Sequence, residues 1–193
     1  SENALKKCLT SRYPRDQYIL TNKCSGSLFS KEEDLEDMFN KQLERCGVEY
    51  FDFYLMHAQG SKNFQKYKDC KAYEFAFRKK KEGKIKHFGF SFHGTPELLE
   101  KIVDEHPEVE FVQIQLNYID WDNPIVHSGK LYEILRKRNI PMIIMEPVKG
   151  GMLANVDEET EQIFKTENPE ASVASWAFRF VGSLEGVVTI LSG

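Results

Sequence analysis

Six apolar stretches of this chain end in side chains that can do chemistry. Lys23 closes Tyr18–Lys23, His57 closes Phe51–His57, and Ser91 closes Ile85–Ser91, with Phe92 and His93 just beyond. Glu110–Leu116 carries Gln113 and Gln115 and leads into Asn117. Ile140–Glu146 runs into Pro147-Val148-Lys149-Gly150-Gly151, and Gly186–Leu191 into Ser192-Gly193. Taken singly, each group has an ordinary explanation: a surface lysine, a histidine that only hydrogen-bonds, amides that satisfy loop backbone, a Glu146 paired with Lys149. Together they supply cations, imidazoles, a hydroxyl, amides and a carboxylate, each at the end of an apolar run, as one shared pocket requires. One chemistry open to the set is metal-dependent hydrolysis in a barrel, with His57, His93 and Glu146 as ligands and Lys23 carbamylated. No HxH or other compact ligand pair favours it.

The runs are short and nearly continuous in hydrophobicity, which fits strands buried on both faces of a parallel sheet. Helical patterns separate them. Ser30 and Glu33 form a capping box before Leu35, Met38, Phe39 and Leu43, and Gly47 sits where a left-handed C-terminal residue is wanted. Tyr67 to Glu82 reads as one helix stopped by Gly83, and Thr95-Pro96 as the start of the next. Leu131, Ile134 and Leu135 mark another; Glu158 to Lys165 reads as a short helix, and Val173, Trp176, Ala177, Phe180 and Val181 as the apolar face of the last. Strand and helix alternate at roughly 25 to 45 residues, which implies crossover helices on a parallel sheet. A doubly wound dinucleotide fold would carry GxGxxG after a strand, and the chain has none. The expected class is therefore α/β, a (β/α)₈ TIM barrel, whose ligand residues sit at the C-terminal strand ends.

The totals are compatible with this. The chain has 193 residues, 41% hydrophobic and 29% charged, with a net charge of −4. No basic stripe with interleaved aromatics suggests a nucleic-acid partner. The dense run Arg78–Lys81, with Lys84 and Lys86, reads as a solvated helix end. Four cysteines, Cys8, Cys24, Cys46 and Cys70, form no CxxC pair, so reduced thiols and a cytoplasmic location are expected. No apolar run reaches membrane-spanning length, of about 18 residues, and no membrane partner is expected. Oligomeric state is open.

The polar ends also resemble a known set of motifs. Gly47-Val48-Glu49-Tyr50-Phe51-Asp52-Phe53-Tyr54-Leu55-Met56-His57 resembles the fourth-strand signature of the aldo-keto reductases. Tyr18-Ile19-Leu20-Thr21-Asn22-Lys23 is similar to their third strand, and Lys84-Ile85-Lys86-His87-Phe88-Gly89-Phe90-Ser91 to their fifth-strand segment. Phe111–Tyr118 and Met145–Gly151 resemble their sixth and seventh strands. The match runs through essentially the whole chain, in order. It is nearest a bacterial or archaeal branch whose longer members often append a ferredoxin-like iron–sulfur domain, and no Cys-rich tail is present here.

The resemblance implies NADPH-dependent hydride transfer between nicotinamide and a small carbonyl or alcohol substrate. It makes Lys23 and His57 catalytic. Lysine lowers the pKa of a proton-donating tyrosine, which is ~10 unperturbed, and histidine orients the carbonyl. It assigns Ser91 and Gln113 to the nicotinamide carboxamide. An asparagine usual after that serine is Phe92 here, and His93 is the candidate substitute. Met145 and Glu146 stand where a tyrosine and a serine are common. Pro147 and Lys149 complete the cofactor side, with Lys149 offsetting Glu146. The tyrosine and its partner aspartate would precede Ser1, and the adenosine-phosphate segment would begin at Gly193. The chain is therefore expected to be one barrel domain over residues 1–193, truncated at both ends, with about six of eight β/α units. An iron–sulfur cluster is expected only in a longer parent. A non-enzymatic barrel that binds nicotinamide and regulates a partner would share these features. Turnover assays on the purified 193-residue chain are expected to show no carbonyl reduction, and measurable turnover would refute the assignment of the proton donor upstream.

Overall fold

The computed structural model describes residues 2–192. Among them the strands are β1 (Thr21–Cys24), β2 (Phe51–Gln59), β3 (Ile85–Phe92), β4 (Phe111–Gln115), β5 (Met142–Met145) and β6 (Val187–Ile190). The α-helices are α1 (Glu2–Leu5), α2 (Asp34–Cys46), α3 (Phe64–Asp69), α4 (Ala72–Lys81), α5 (Pro96–Glu105), α6 (Ser128–Lys137), α7 (Glu158–Glu167) and α8 (Val173–Gly182). Strand order in the sheet is chain order, β1 to β6. The chain forms two compact units, Ser1–Ser91 with His106–Glu110, and Phe92–Glu105 with Phe111–Gly193.

In the first unit β1 pairs in parallel with β2, with Lys23 opposite Leu55 and Cys24 opposite Met56. Behind them Phe39, Phe51, Tyr54 and Phe75 form an aromatic cluster, with Phe39 edge-on to the other three at 5.2–5.8 Å. Helix α2 does not use the expected Ser30–Glu33 box. The Asp34 carboxylate accepts from Ser30 N at 2.7 Å and Lys31 N at 3.1 Å. An acid inside the first turn thus closes the entry that a serine was expected to cap. Gly47 ends α2 as expected, at φ 67°, with Val48 N bonded to Leu43 O at 3.1 Å.

The single helix expected over 67–82 is broken. Lys71 takes φ 50° between α3 and α4. The Tyr67 hydroxyl reaches Cys24 O and His57 O, and the Tyr73 hydroxyl reaches Gln59 Oε1. On an uninterrupted helix, residues six apart point about 120° away from each other. The break lets both rings face the strands. The cationic run is not merely solvated either. Lys79 is buried and bonded to Glu36 and Glu82, Lys80 pairs with Glu110, and Arg78 lies 3.5 Å from Glu36.

In the second unit β4 pairs with β5 in parallel, with Gln113 opposite Ile143 and Gln115 opposite Met145. Strand β5 pairs with β6 through a register shift at Met142/Ile143. Leu99, Ile102, Val112, Ile114, Leu131, Leu135 and Ile144 are buried between helix and sheet. Burial on both faces, expected of all six runs, fails in the first run, where Ile19 is 73% exposed and Thr21 is also exposed, and at β6, where Val188 is 60% exposed. Helix α8 buries only Ala177 and Val181, too little apolar surface to cover the strand. All four cysteines are free thiols, and only Cys8 is exposed. No described helix is long and apolar enough to cross a membrane.

At the start of β2, Asp52 gathers the segment before β1 and the start of β3. It accepts from Leu20 N at 2.8 Å, from Arg15 at 2.5 Å and from Lys86 at 3.1 Å. The Arg15 guanidinium lies over the Tyr50 ring, 3.9 Å from its centroid. Burial pushes the Asp52 carboxyl up, but the Leu20 N–H, Arg15 and Lys86 outweigh it and hold it below the usual range. A depressed native pKa contributes stability above the unfolded value, ~3.9, and loses it as pH falls through that range. Asp52→Asn is expected to cost about 2 kcal/mol near neutrality and to flatten the acid limb of the stability–pH curve, read by urea denaturation. An unchanged acid limb would exclude Asp52 as its source.

Candidate active site

Lys23, His57 and Ser91 lie at or beside the C-terminal ends of β1, β2 and β3, in the first unit. Lys23 is fixed from behind. Its carbonyl accepts from buried Gln42 Nε2 at 2.9 Å, and Gln42 Oε1 accepts from the Tyr54 hydroxyl at 2.6 Å. The Asn22 side chain takes the Lys23 N–H at 2.8 Å. The lysine side chain is half-buried and makes no ion pair among the described residues. Its neighbour Cys24 is no competing nucleophile: burial, together with the nearby Cys70, pushes its thiol up to about 12.

His57 is half-buried, with Nδ1 2.9 Å from Ser25 Oγ. The Tyr67 hydroxyl bridges Cys24 O at 2.9 Å and His57 O at 3.0 Å, tying the tips of β1 and β2 together. Ala58 then turns left-handed at φ 53°, an unusual conformation for a residue with a β-carbon. Two groups hold it: Ser91 Oγ accepts from Ala58 N at 2.8 Å, and Asn63 Nδ2 donates to Ala58 O at 2.7 Å. The structure thus gives Ser91, fully buried, a backbone partner.

In the second unit, Gln113 on β4 is buried and donates through Nε2 to Met145 Sδ at 3.2 Å. That places the amide and the thioether side by side, one strand apart. Glu146 follows at φ 57° with its side chain exposed, and Pro147 is buried. The expected Glu146–Lys149 offset is not formed. Lys149 pairs with Asp120, a fully buried carboxylate after β4. Gln115 Nε2 at 2.8 Å and Asn117 Nδ2 at 2.9 Å also bond Asp120. Burial pushes its carboxyl up, and these three donors outweigh that and hold it low. A buried carboxylate competes better for the ammonium than an exposed one, because water does not screen the pair. His93 is exposed and lines a hollow of 190 Å³ with Phe92, Gln115, Ile125 and Leu131. The turn after β5 borders an opening of 620 Å³ with Phe178 and Leu191.

Sequence reading missed Asp120, Tyr67, Ser25 and Gln42. Asp120 had a local signal: it stands three residues after Asn117, whose Oδ1 accepts its N–H at 2.9 Å. The others act across the fold and carry no sequence mark. No described group of three or more His, Cys, Asp or Glu side chains is arranged to hold a metal ion.

The profile described as "Aldo/keto reductase family" matches residues 1–191. The chain belongs to the aldo/keto reductase family. It is 28% identical over 184 residues to a 9,11-endoperoxide prostaglandin H2 reductase of Trypanosoma cruzi, covering 93% of this chain and 59% of that protein. Among solved structures, an aldo/keto reductase from Brucella melitensis superposes with a TM-score of 0.77 at 22% identity, covering all of this chain and 69% of that one. An aldo/keto reductase from Klebsiella pneumoniae in complex with NADP and acetate gives 0.72 at 18%, covering all of this chain and 65% of that one. These likenesses establish the fold class as α/β, with six parallel strands of the (β/α)₈ type. The chain spans about three fifths of the Trypanosoma relative's length.

Ser91→Ala would leave the left-handed Ala58 amide without its acceptor. It is expected to cost about 1–2 kcal/mol in chemical denaturation and to speed hydrogen exchange at Ala58. An unchanged exchange rate there would show that the bond does not hold the turn.

Proposed function

We propose that this chain is the larger part of an NADPH-dependent aldo-keto reductase, one domain over residues 1–193, that moves a hydride between nicotinamide and a small carbonyl or alcohol substrate. The observation that carries the reading lies within the first unit. A cation, an imidazole and a hydroxyl stand at the C-terminal tips of β1, β2 and β3, each backed by a separate hydrogen bond or hydrogen-bonded chain. Family membership and the NADP-bound Klebsiella neighbour support the choice of cofactor.

The residues present fit such a group. Gln113 spends its NH₂ on Met145 and leaves its carbonyl oxygen without a hydrogen bond among the described residues. A Cβ at Gly151 would meet nothing within 4 Å, so the turn after β5 offers open backbone. On the second unit Gln113, with His93 as a further donor, would hold the carboxamide; the family resemblance assigns Ser91, on the first unit, to the same group. Met145 would cover the ring face with a polarizable thioether, and Glu146, Pro147 and Lys149 would border the rest of the cofactor. NADPH, when bound, supplies the hydride. Lys23 would lower the pKa of a proton-donating phenol by stabilising its phenolate, and His57 would orient the carbonyl oxygen.

The parent protein is expected to bind and oxidise NADPH with small aldehydes or ketones. Lys23→Met is expected to cut turnover roughly a hundredfold or more while NADPH binding persists. Stopped-flow turnover and fluorescence titration of full-length protein check both. Full-length protein that neither binds nor oxidises a nicotinamide would refute the proposal.

A further inference from the structure

Beyond the assigned groups, one buried charge is used by none of the chemistry. Asp120 is fully buried, and its carboxylate is met by Gln115, Asn117 and Lys149. Asn117 Nδ2 also donates to Glu146 O at 3.0 Å. One carboxylate therefore reaches the turn after β5 at two points: Lys149 directly, and Glu146 through Asn117. Within that turn Glu146, Lys149, Gly150 and Gly151 have φ of 57°, 49°, 61° and 92°. Two of these four residues carry a β-carbon, and such a backbone persists only where its surroundings over-determine it. The ladder itself does not, because β5 ends at Met145.

We infer that Asp120 is a positioning residue that fixes the left-handed turn Glu146–Gly151 through Lys149 and Asn117. Lys149 then acts as a strut and not as a free cation. Its ammonium is held by a carboxylate that water does not reach, so withdrawing Lys149 strands a buried charge, and withdrawing Asp120 frees the half-exposed ammonium from the turn. The consequence for the reaction rests on the proposal that this turn borders the cofactor. The turn's shape, set from beneath by Asp120, fixes where Glu146 and Met145 stand.

The test uses full-length protein and two variants, Asp120→Asn and Lys149→Met; the second leaves the Gln115 and Asn117 bonds to Asp120 intact if the first folds poorly. Amide exchange at 149–153 is expected to rise about tenfold or more in either variant, with exchange in α6 unchanged. The KM for NADPH is expected to rise about fivefold or more, by a larger factor than kcat falls. The double variant is expected to be no worse than the poorer single variant, since both break one pair. Unchanged exchange in the turn, or a lowered melting temperature with the KM for NADPH unmoved, would overturn the inference. If wild-type protein binds no NADPH, the proposed function fails, and the exchange result alone decides the claim about the turn.

Discussion

The site rests on a constraint that any parallel sheet meets where its strands stop. Backbone N–H and C=O groups buried at the strand tips lose their ladder partners and must find others. Here side chains supply them. Gln42 meets Lys23 O, Tyr67 meets Cys24 O and His57 O, Asn63 meets Ala58 O, Ser128 meets Gln115 O, and Asn117 meets Glu146 O. Each cap comes from a helix or loop, so the tips of β1, β2, β4 and β5 are tied to packed elements. Lys23 and His57, the proposed catalytic residues, stand at two of those tips. Their placement follows from the need to satisfy backbone groups, before any substrate is considered.

The two units reach this end by different means. In the first, the caps are rigid and aromatic: Tyr54 holds Gln42, and Tyr67 bridges two tips itself. Burial pushes both phenols well above their ordinary range, so they stay neutral donors. In the second, the caps centre on a charge, with Asp120 drawing amides and an ammonium to itself. A neutral cap tolerates loss of a single bond. A buried charge does not, because its remaining partners cannot replace the missing countercharge.

Much of this was legible in the chain and some was not. The alternation of apolar runs with capped helical patterns marks all six strands, within a few residues at each end, and Gly47 at its left-handed C-terminus. Lys23, His57 and Ser91 stand at or beside their strand ends because a run's last polar residue is visible in one dimension, whereas Gln113 sits in the middle of β4. What failed needed three. The break at Lys71 follows from two tyrosines aimed at the same strands, a demand that helix periodicity over 67–82 hides. Lys149 looked committed to Glu146 because sequence shows nearness along the chain and not burial; the deeper carboxylate, Asp120, lies 29 residues away. The Tyr54–Gln42–Lys23 relay spans three elements and leaves no pattern at all.

The cationic run on α4 shows how unlike neighbours can be. Arg78 and Lys81 are open to water, whereas the Lys79 side chain is 8% exposed and enclosed by Glu36 and Glu82. Evolutionary drift along these positions should therefore be uneven. Lys81 can exchange freely with other soluble residues, Arg78 lies close to Glu36 and Glu82, and Lys79 is bound to both acids, so a lineage that loses Glu36 and Glu82 would have to change Lys79 with them.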